Sequence, residues 1–418
     1  MEHHEVLIVG GGNAGISLAA RLLRDGAQDV AVIESESVHR YRPLLNYVGA
    51  GEAKMASLER PAEEVMPDGC TWIQELVVSV DAVGPSVLTR TGRRIRATSL
   101  VICPGLEEDW DATPGLAEAY AAGWAGSTYV VGSVPLVWGA LKALKTGRML
   151  FSMPPEPAPC SATALKPLFM ACDHWRRVGV LADLDVHLFL PGPTPLGVPR
   201  ADRIIEETLE SYGVQVLRDA RVNHLAHRRV TVTTPGGEHQ LDDIAYAHVV
   251  PHYWALDWVA ESDLAGTTKA GLVDVDATTL QHTRHPAIWS LGDVADLGIK
   301  PSGGSLRKEV AVLAHNLAAA APSSFQHYPA GQVFQRLSIT VATTRRADSS
   351  PNRATSSTSR PASSCLKHAS SKPRTRAAPT MAASRSSTSL PQAFDKTSRM
   401  IACADSITLM VASDGAVV

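Results

Sequence analysis

Apolar residues open the chain in short unbroken runs. Val6-Leu7-Ile8-Val9 and Val30-Ala31-Val32-Ile33 have no polar interruption, the pattern of strands covered on both faces of a parallel sheet. Between them, Ile16 to Leu23 places its apolar residues at helical spacing. Val101-Ile102 reads as another buried strand, and Cys103-Pro104-Gly105 as the turn that ends it. Beyond this the period alternates. Pro135 to Lys145 predicts a helix with Leu136, Val137, Ala140, Leu141 and Leu144 as its apolar residues. Arg148 to Ser152 predicts a strand, Leu165 to Val178 a helix, Val186 to Leu190 a strand and Ala201 to Tyr212 an amphipathic helix. Val214 to Leu217 and Arg228 to Thr233 follow as strands. An apolar helix from Leu306 to Ala321 buries Val310, Val312, Leu313, Ala314 and Leu317. Alternating strands and helices predict an α/β fold with two doubly wound, Rossmann-like domains. The expected division is 1–114 and 245–325 for the first domain, 115–244 for the second, and 326–418 for a tail.

Composition sets the tail apart. Residues 341–400 hold 14 Ser, 8 Thr and 11 Lys or Arg against 2 Asp, no Glu and one aromatic, Phe394. Residues 341–418 carry +7 and residues 1–340 carry −10 within the net charge of −3. Such a segment lacks the apolar surface to offset its ordering entropy, so disorder is expected. Its basic charge has no interleaved aromatics or amphipathic period, so nucleic-acid binding is not expected.

The first strand, helix and strand enclose a glycine pattern. Gly10, Gly12 and Gly15, with Asn13 and Ala14 between them, give G-x-G-x-x-G in the run Gly-Gly-Gly-Asn-Ala-Gly. Gly10 makes the tight turn, Gly12 lets a pyrophosphate approach the backbone, and Gly15 lets helix and strand pack closely. The helix N-terminus offers unpaired N–H groups and a positive dipole end to phosphates. Glu34 follows at the end of the second strand, about 20 residues on, where a carboxylate accepts ribose hydroxyls. Together these predict a dinucleotide site.

A second site is conspicuously altered. After the strand near Phe151 the chain reads Met153-Pro154-Pro155-Glu156-Pro157-Ala158-Pro159-Cys160. Four prolines make no dinucleotide turn and remove N–H donors that phosphates need, so NAD(P)H is not the expected electron donor. Farther on, Thr283 to Asp293 reads as a Pro-containing turn, a short apolar strand and then Gly292-Asp293. Gly292 permits close backbone approach and Asp293 offers an acceptor to a polyol. In flavoproteins with two dinucleotide-binding domains this resembles the second FAD fingerprint, whose Asp binds the ribityl chain. The cofactor that this likeness implies is FAD.

With these features, the sequence resembles the sulfide:quinone oxidoreductase and flavocytochrome c sulfide dehydrogenase family, nearest the branch that includes the mitochondrial type. The matching stretches are the glycine run, the Pro-rich turn ending in Cys160, and Cys172-Asp173-His174-Trp175-Arg176-Arg177 through Leu181. Asp274-Val275-Asp276, Leu280 to Thr283, Leu291-Gly292-Asp293, Lys300 and Arg307-Lys308 complete them. The resemblance covers about residues 5–330. It implies a two-Rossmann flavoprotein with FAD held by Gly10, Gly12, Asn13, Ala14, Gly15, Glu34, Pro104, Gly105, Gly292, Asp293 and Lys300. It further implies that Cys160 is the first cysteine of a redox pair, that sulfide or another sulfur species is the substrate, and that quinone takes the electrons. Cys103 and Cys172 are expected to be structural, and His174 and Trp175 to pack.

Three departures accompany the likeness. Ser161-Ala162-Thr163-Ala164-Leu165-Lys166 replaces a Gly-containing loop ending in Gln-Lys, and Pro301-Ser302-Gly303-Gly304 replaces Thr-Gly-Ala-Ala. After Tyr328-Pro329-Ala330 the family's second cysteine and its acidic-aromatic strand are missing. Either a reading-frame change in the source gene near residues 330–340 or a different native tail accounts for this. Impaired turnover is then expected. Two rival readings stay open: an NAD(P)H-dependent quinone flavoprotein, and a flavin-binding protein without turnover.

No apolar run reaches transmembrane length, and Met1-Glu2-His3-His4-Glu5 is not a signal peptide. A cytoplasmic protein is expected, with peripheral association on the cytosolic face of a membrane left open. Six scattered cysteines without C-x-x-C exclude a secreted disulfide framework and give no zinc spacing.

Overall fold

The computed structural model describes residues 2–328 except 269, 320 and 321. The expected disorder of the tail, and Cys365 and Cys403 with it, lie outside the described residues.

Two parallel sheets carry the fold. In the first, the parallel strands run in the order Thr71–Ile73, Val30–Ile33, Glu2–Val9, Arg94–Ile102, Ile288–Ser290. Ser86–Thr89 and Val77–Asp81 extend it as an antiparallel pair on the N-terminal half of Arg94–Ile102. Leu7, Ile8, Ala31, Val32, Leu100 and Val101 are wholly buried, as expected where helices cover both faces. The helix Asn13–Arg24 buries Ile16, Leu18, Ala19, Ala20 and Leu22 along one stripe and stops at Asp25 and the left-handed Gly26. Gly303–Ala318 packs beside it. That helix begins three residues before its expected start, because Ser302 and Ser305 form a reciprocal capping box.

The second sheet is also parallel, in the order Ala125–Gly126, Ile244–His248, Gly147–Ser152, Leu184–Phe189, Gln215–Leu217. The helices Val134–Ala143, Leu165–Arg177 and Pro199–Ser211 accompany it, each within two residues of its expected bounds. One expected strand has a different place. Arg229–Thr234 pairs antiparallel with Arg221–Ala226 and Gly237–Leu241 in a separate three-stranded sheet. Only His227 and Arg228 join the first two strands, both at positive φ. A two-residue loop of that kind closes a hairpin and is too short for a parallel crossover.

Trp175 is fully buried and its indole N–H donates to the Leu141 carbonyl at 2.9 Å, fastening Leu165–Arg177 to Val134–Ala143. Replacing it with Ala opens a cavity and removes that hydrogen bond between the helices. Trp175→Ala is expected to cost about 3–5 kcal/mol, read as a lowered midpoint in chemical unfolding. A loss below about 1 kcal/mol would show that the indole is not a core element.

Candidate active site

Strand register gathers the expected site residues on one edge. Val9 pairs with Ile33 and Ile102, Ile33 with Ile73, and Ile102 with Ser290. The residues that follow these strand ends therefore leave the sheet side by side: Gly10, Glu34, Cys103 and Leu291. In a parallel sheet this carboxyl edge is where ligands bind.

Each glycine of the turn meets a different constraint. Gly10 has φ +110°, and a Cβ there would lie 2.4 Å from the Cys103 carbonyl oxygen. At Gly15 a Cβ would lie 1.9 Å from the Gly10 carbonyl oxygen. Gly12 faces open space, with nothing within 4 Å of a Cβ. It also caps the helix Asn13–Arg24 without any side-chain hydrogen bond, so the first N–H groups, at Asn13 and Ala14 among others, are free to hold an anion. Glu34 accepts from the Gly11 amide at 2.8 Å and the Glu36 amide at 2.9 Å. Pro104 abuts Gly10, and Gly105 opens on free space at φ +81°. Cys103 is buried and its thiol is pushed up by desolvation, as suits a structural residue.

The second fingerprint closes on the same helix end. Gly292 has φ +78°, and a Cβ there would press on Ala14 Cβ at 3.2 Å. Its amide donates to Glu309 Oε2 at 2.9 Å. Glu309 is 2% exposed and its carboxyl is raised to about 7 by burial, opposed by that amide and Ser305 and reinforced by Asp293. Asp293 is enclosed by protein yet keeps some accessible surface, the mark of a group on a cleft wall. Its carboxyl is raised to about 6 by burial, opposed by Arg42 and reinforced by Glu156. Asp293 accepts no hydrogen bond from a described residue. An enclosed carboxylate without a donor, beside a bare helix end and an uncrowded Gly12, suits the hydroxyls and pyrophosphate of a dinucleotide.

Cys160 comes to this place from the second sheet. It follows Gly147–Ser152 through the Pro-rich loop and sits in the left-handed region at φ 52°, ψ 60°. Its carbonyl accepts from the Tyr129 hydroxyl at 2.9 Å and the Thr163 amide at 2.9 Å. Burial pushes the thiol up to about 11; Lys166 opposes this, while Asp293 and Glu156 add to it. Cys160 and Asp293, far apart in sequence, are thus electrostatic neighbours. Burial raises the Glu156 carboxyl in the same cluster, opposed by Ser161, Lys300 and the Ala158 amide. Sequence reading passed over Arg42, Tyr129, Lys166, Glu156 and Glu309. None lies in a spaced motif; the one available signal was Glu156 and Lys166 flanking Cys160. Cys172 and Trp175 are buried, and His174 stacks edge-on against Trp138.

At the matching edge of the second sheet no glycine turn exists. Met153 donates its amide to Phe189, and Pro154, Pro155, Pro157 and Pro159 have none to offer. Among the described residues no His, Cys, Asp and Glu group could hold a metal ion, and no helix is long and apolar enough to cross a membrane.

Glu309 makes a pH prediction. Its folded-state pKa lies above its unfolded value, so the native state binds the extra proton and stability falls as pH rises from about 4.5 to about 7. Glu309→Gln removes that loss. Its stability relative to the parent should grow between pH 5 and pH 8 by up to about 3 kcal/mol, measured by chemical unfolding at both pH values. A constant difference would place the proton elsewhere.

Comparison with known proteins completes the picture. No family model matches the chain. The mitochondrial sulfide:quinone oxidoreductase of Mus musculus is 30% identical over 317 residues, covering 74% of this chain and 70% of that protein. The Dictyostelium discoideum mitochondrial enzyme of the same name is 27% identical over 325 residues, covering 75% and 70%. Among solved structures, the sulfide:quinone oxidoreductase of Aquifex aeolicus superposes with a TM-score of 0.66 at 17% identity, covering 76% of each chain.

Proposed function

Since the chain belongs to the sulfide:quinone oxidoreductase family, we propose that it binds FAD at the carboxyl edge of its first sheet and oxidises sulfide at Cys160, with quinone as electron acceptor. The observation that carries this reading is the electrostatic coupling of Cys160 to Asp293: a carboxylate that follows a strand of the first sheet disfavours the thiolate of a cysteine that follows a strand of the second.

Gly12 and the Asn13–Ala14–Gly15 helix end would take the pyrophosphate, Glu34 a ribose and Asp293 the ribityl hydroxyls. Gly10 and Gly15 would shape the turn, Pro104-Gly105 and Gly292 would form walls, and Lys300, which acts on Glu156, would supply a positive charge to the flavin. Bound FAD supplies a two-electron acceptor beside the thiol. Lys166 favours the thiolate of Cys160 against Asp293 and Glu156, and Tyr129 holds the Cys160 carbonyl. The net change at Cys160 joins its sulfur to that of hydrogen sulfide. One S–S bond forms, the two S–H protons leave and two electrons are released, which bound FAD would accept, with quinone as the final oxidant. A thiol acceptor then takes the outer sulfur and returns a proton, which restores Cys160. A quinone is lipid-soluble, so peripheral membrane contact is part of the proposal. So is the division at residues 114, 244 and 325.

A second reading, flavin binding without fast turnover, draws on one observation. Among the described residues Cys70, Cys103 and Cys172 are free, and Cys103 and Cys172 are buried. None is an electrostatic neighbour of Cys160. A thiol without a resolving partner must wait for an external sulfur acceptor.

Gly12→Val tests the cofactor. The position has ordinary extended backbone and no neighbour, so the variant should fold and yet lose FAD, read as the flavin absorbance of purified protein. Full occupancy would refute the assignment. Cys160→Ser should keep FAD and abolish the spectral response to sulfide; an undiminished response would exclude Cys160. NADPH should not bleach the flavin rapidly under anaerobic conditions. Fast bleaching would instead support the NAD(P)H-dependent alternative.

A further inference from the structure

Glu156 is the one acid in the Pro-rich loop, and both of its carboxylate oxygens are engaged. Oε1 accepts from the Ser161 hydroxyl at 2.6 Å, and Oε2 accepts from the Ala158 amide at 3.2 Å. The two donors flank Cys160. Ser161 is buried, so the carboxylate is tied to an interior hydroxyl although Glu156 as a residue is exposed. Prolines at 155, 157 and 159 deprive the loop of amides that could brace it. The Glu156 carboxylate is the side-chain brace that remains on both sides of a residue in the left-handed region.

Such a conformation is uncommon for a residue with a Cβ and persists where its surroundings hold it. Tyr129 and Thr163 hold the Cys160 carbonyl; Glu156 holds Ala158 and Ser161 around it. The same carboxylate, itself raised by burial, opposes ionisation of the thiol when it is charged. The other charged or titratable groups facing Cys160 are Lys166, Asp293 and Tyr129, and Glu156 itself faces Lys300 and Asp293.

We propose that Glu156 is a positioning residue for Cys160: it ties the loop on both sides of the thiol and sets the charge against which the thiolate must form. The proposal rests on Cys160 as the sulfur-carrying thiol and adds the group that governs it. Glu156 does not touch the reacting sulfur. It restrains the thiol in the resting protein, and its neutralisation releases that restraint. Charge on Glu156 raises the thiol, and charge on Lys166 lowers it.

The test is the rate of Cys160 alkylation by iodoacetamide at pH 7.5 in the protein as purified, followed by peptide mass spectrometry. Well below the thiol pKa this rate tracks the thiolate fraction. Glu156→Gln keeps the shape and an acceptor for Ser161 but removes the charge, and should raise the rate at least about threefold, half a pH unit of thiolate. Ser161→Ala cuts the tether and keeps the charge, and should not give that gain. An unchanged or slower rate in Glu156→Gln overturns the proposal, and so does an equal gain in Ser161→Ala. Alkylation needs neither sulfide nor quinone. A failed sulfide response would therefore count against the proposed activity alone, and a failed rate change against Glu156 alone.

Discussion

The contact between Gly15 and the Gly10 carbonyl constrains everything at this edge of the molecule. A Cβ at Gly15 would fall 1.9 Å from that oxygen, so the helix Asn13–Arg24 approaches the first strand as closely as backbones allow. The approach brings a helix N-terminus, with its unpaired amides, to the point where the strand ends. Gly292 then settles against Ala14 on the same helix, which fixes where Asp293 stands. The antiparallel hairpins and the second sheet could change without disturbing that geometry. The glycine contact could not.

The ionisable groups around the cleft show the cost of enclosing it. Asp293 at about 6, Glu309 at about 7 and Cys160 at about 11 are all shifted toward their neutral forms, with burial the leading cause in each case. Arg42 and Lys166 are the cations that oppose those shifts. Arg42 is itself held by the Tyr129 carbonyl at 3.1 Å and Glu108 at 3.7 Å, while Lys166 lies over the Tyr47 ring. Both cations are attached to other parts of the fold and do not pair directly with the acids. The cluster therefore stays poised: a modest change of charge in the cleft, from a cofactor or from a proton, is felt by the thiol.

The sequence disclosed the fold through its unbroken apolar runs and its alternation of period, and each helix of the second sheet lies within two residues of its expected place. It disclosed the turn at the carboxyl edge because glycine spacing reports backbone geometry directly: a Cβ at Gly10, Gly15 or Gly292 would crowd a neighbour. The strand Arg229–Thr234 was legible as a strand but not as a hairpin partner. His227 and Arg228 are not the residues that usually announce two successive positive φ angles. Arg42, Tyr129 and Glu309 were invisible for another reason. Each reaches the site through tertiary packing, and no local pattern marks a side chain whose partners lie dozens of residues away.

Both sheets set three successive parallel strands side by side, and they part at the turn that follows the first of the three. In the first sheet a glycine turn leaves amides free to face a phosphate. In the second, the corresponding strand end spends its Met153 amide on Phe189 and continues through four prolines that have none. The loop is poor in the amides that a pyrophosphate needs, but it is stiff, with φ preset at each proline. In the proposed reaction that stiffness would hold at a fixed place the Cys160 thiol, whose anion Asp293 disfavours. A strand end built without a glycine turn would thus serve as the support of a sulfur atom.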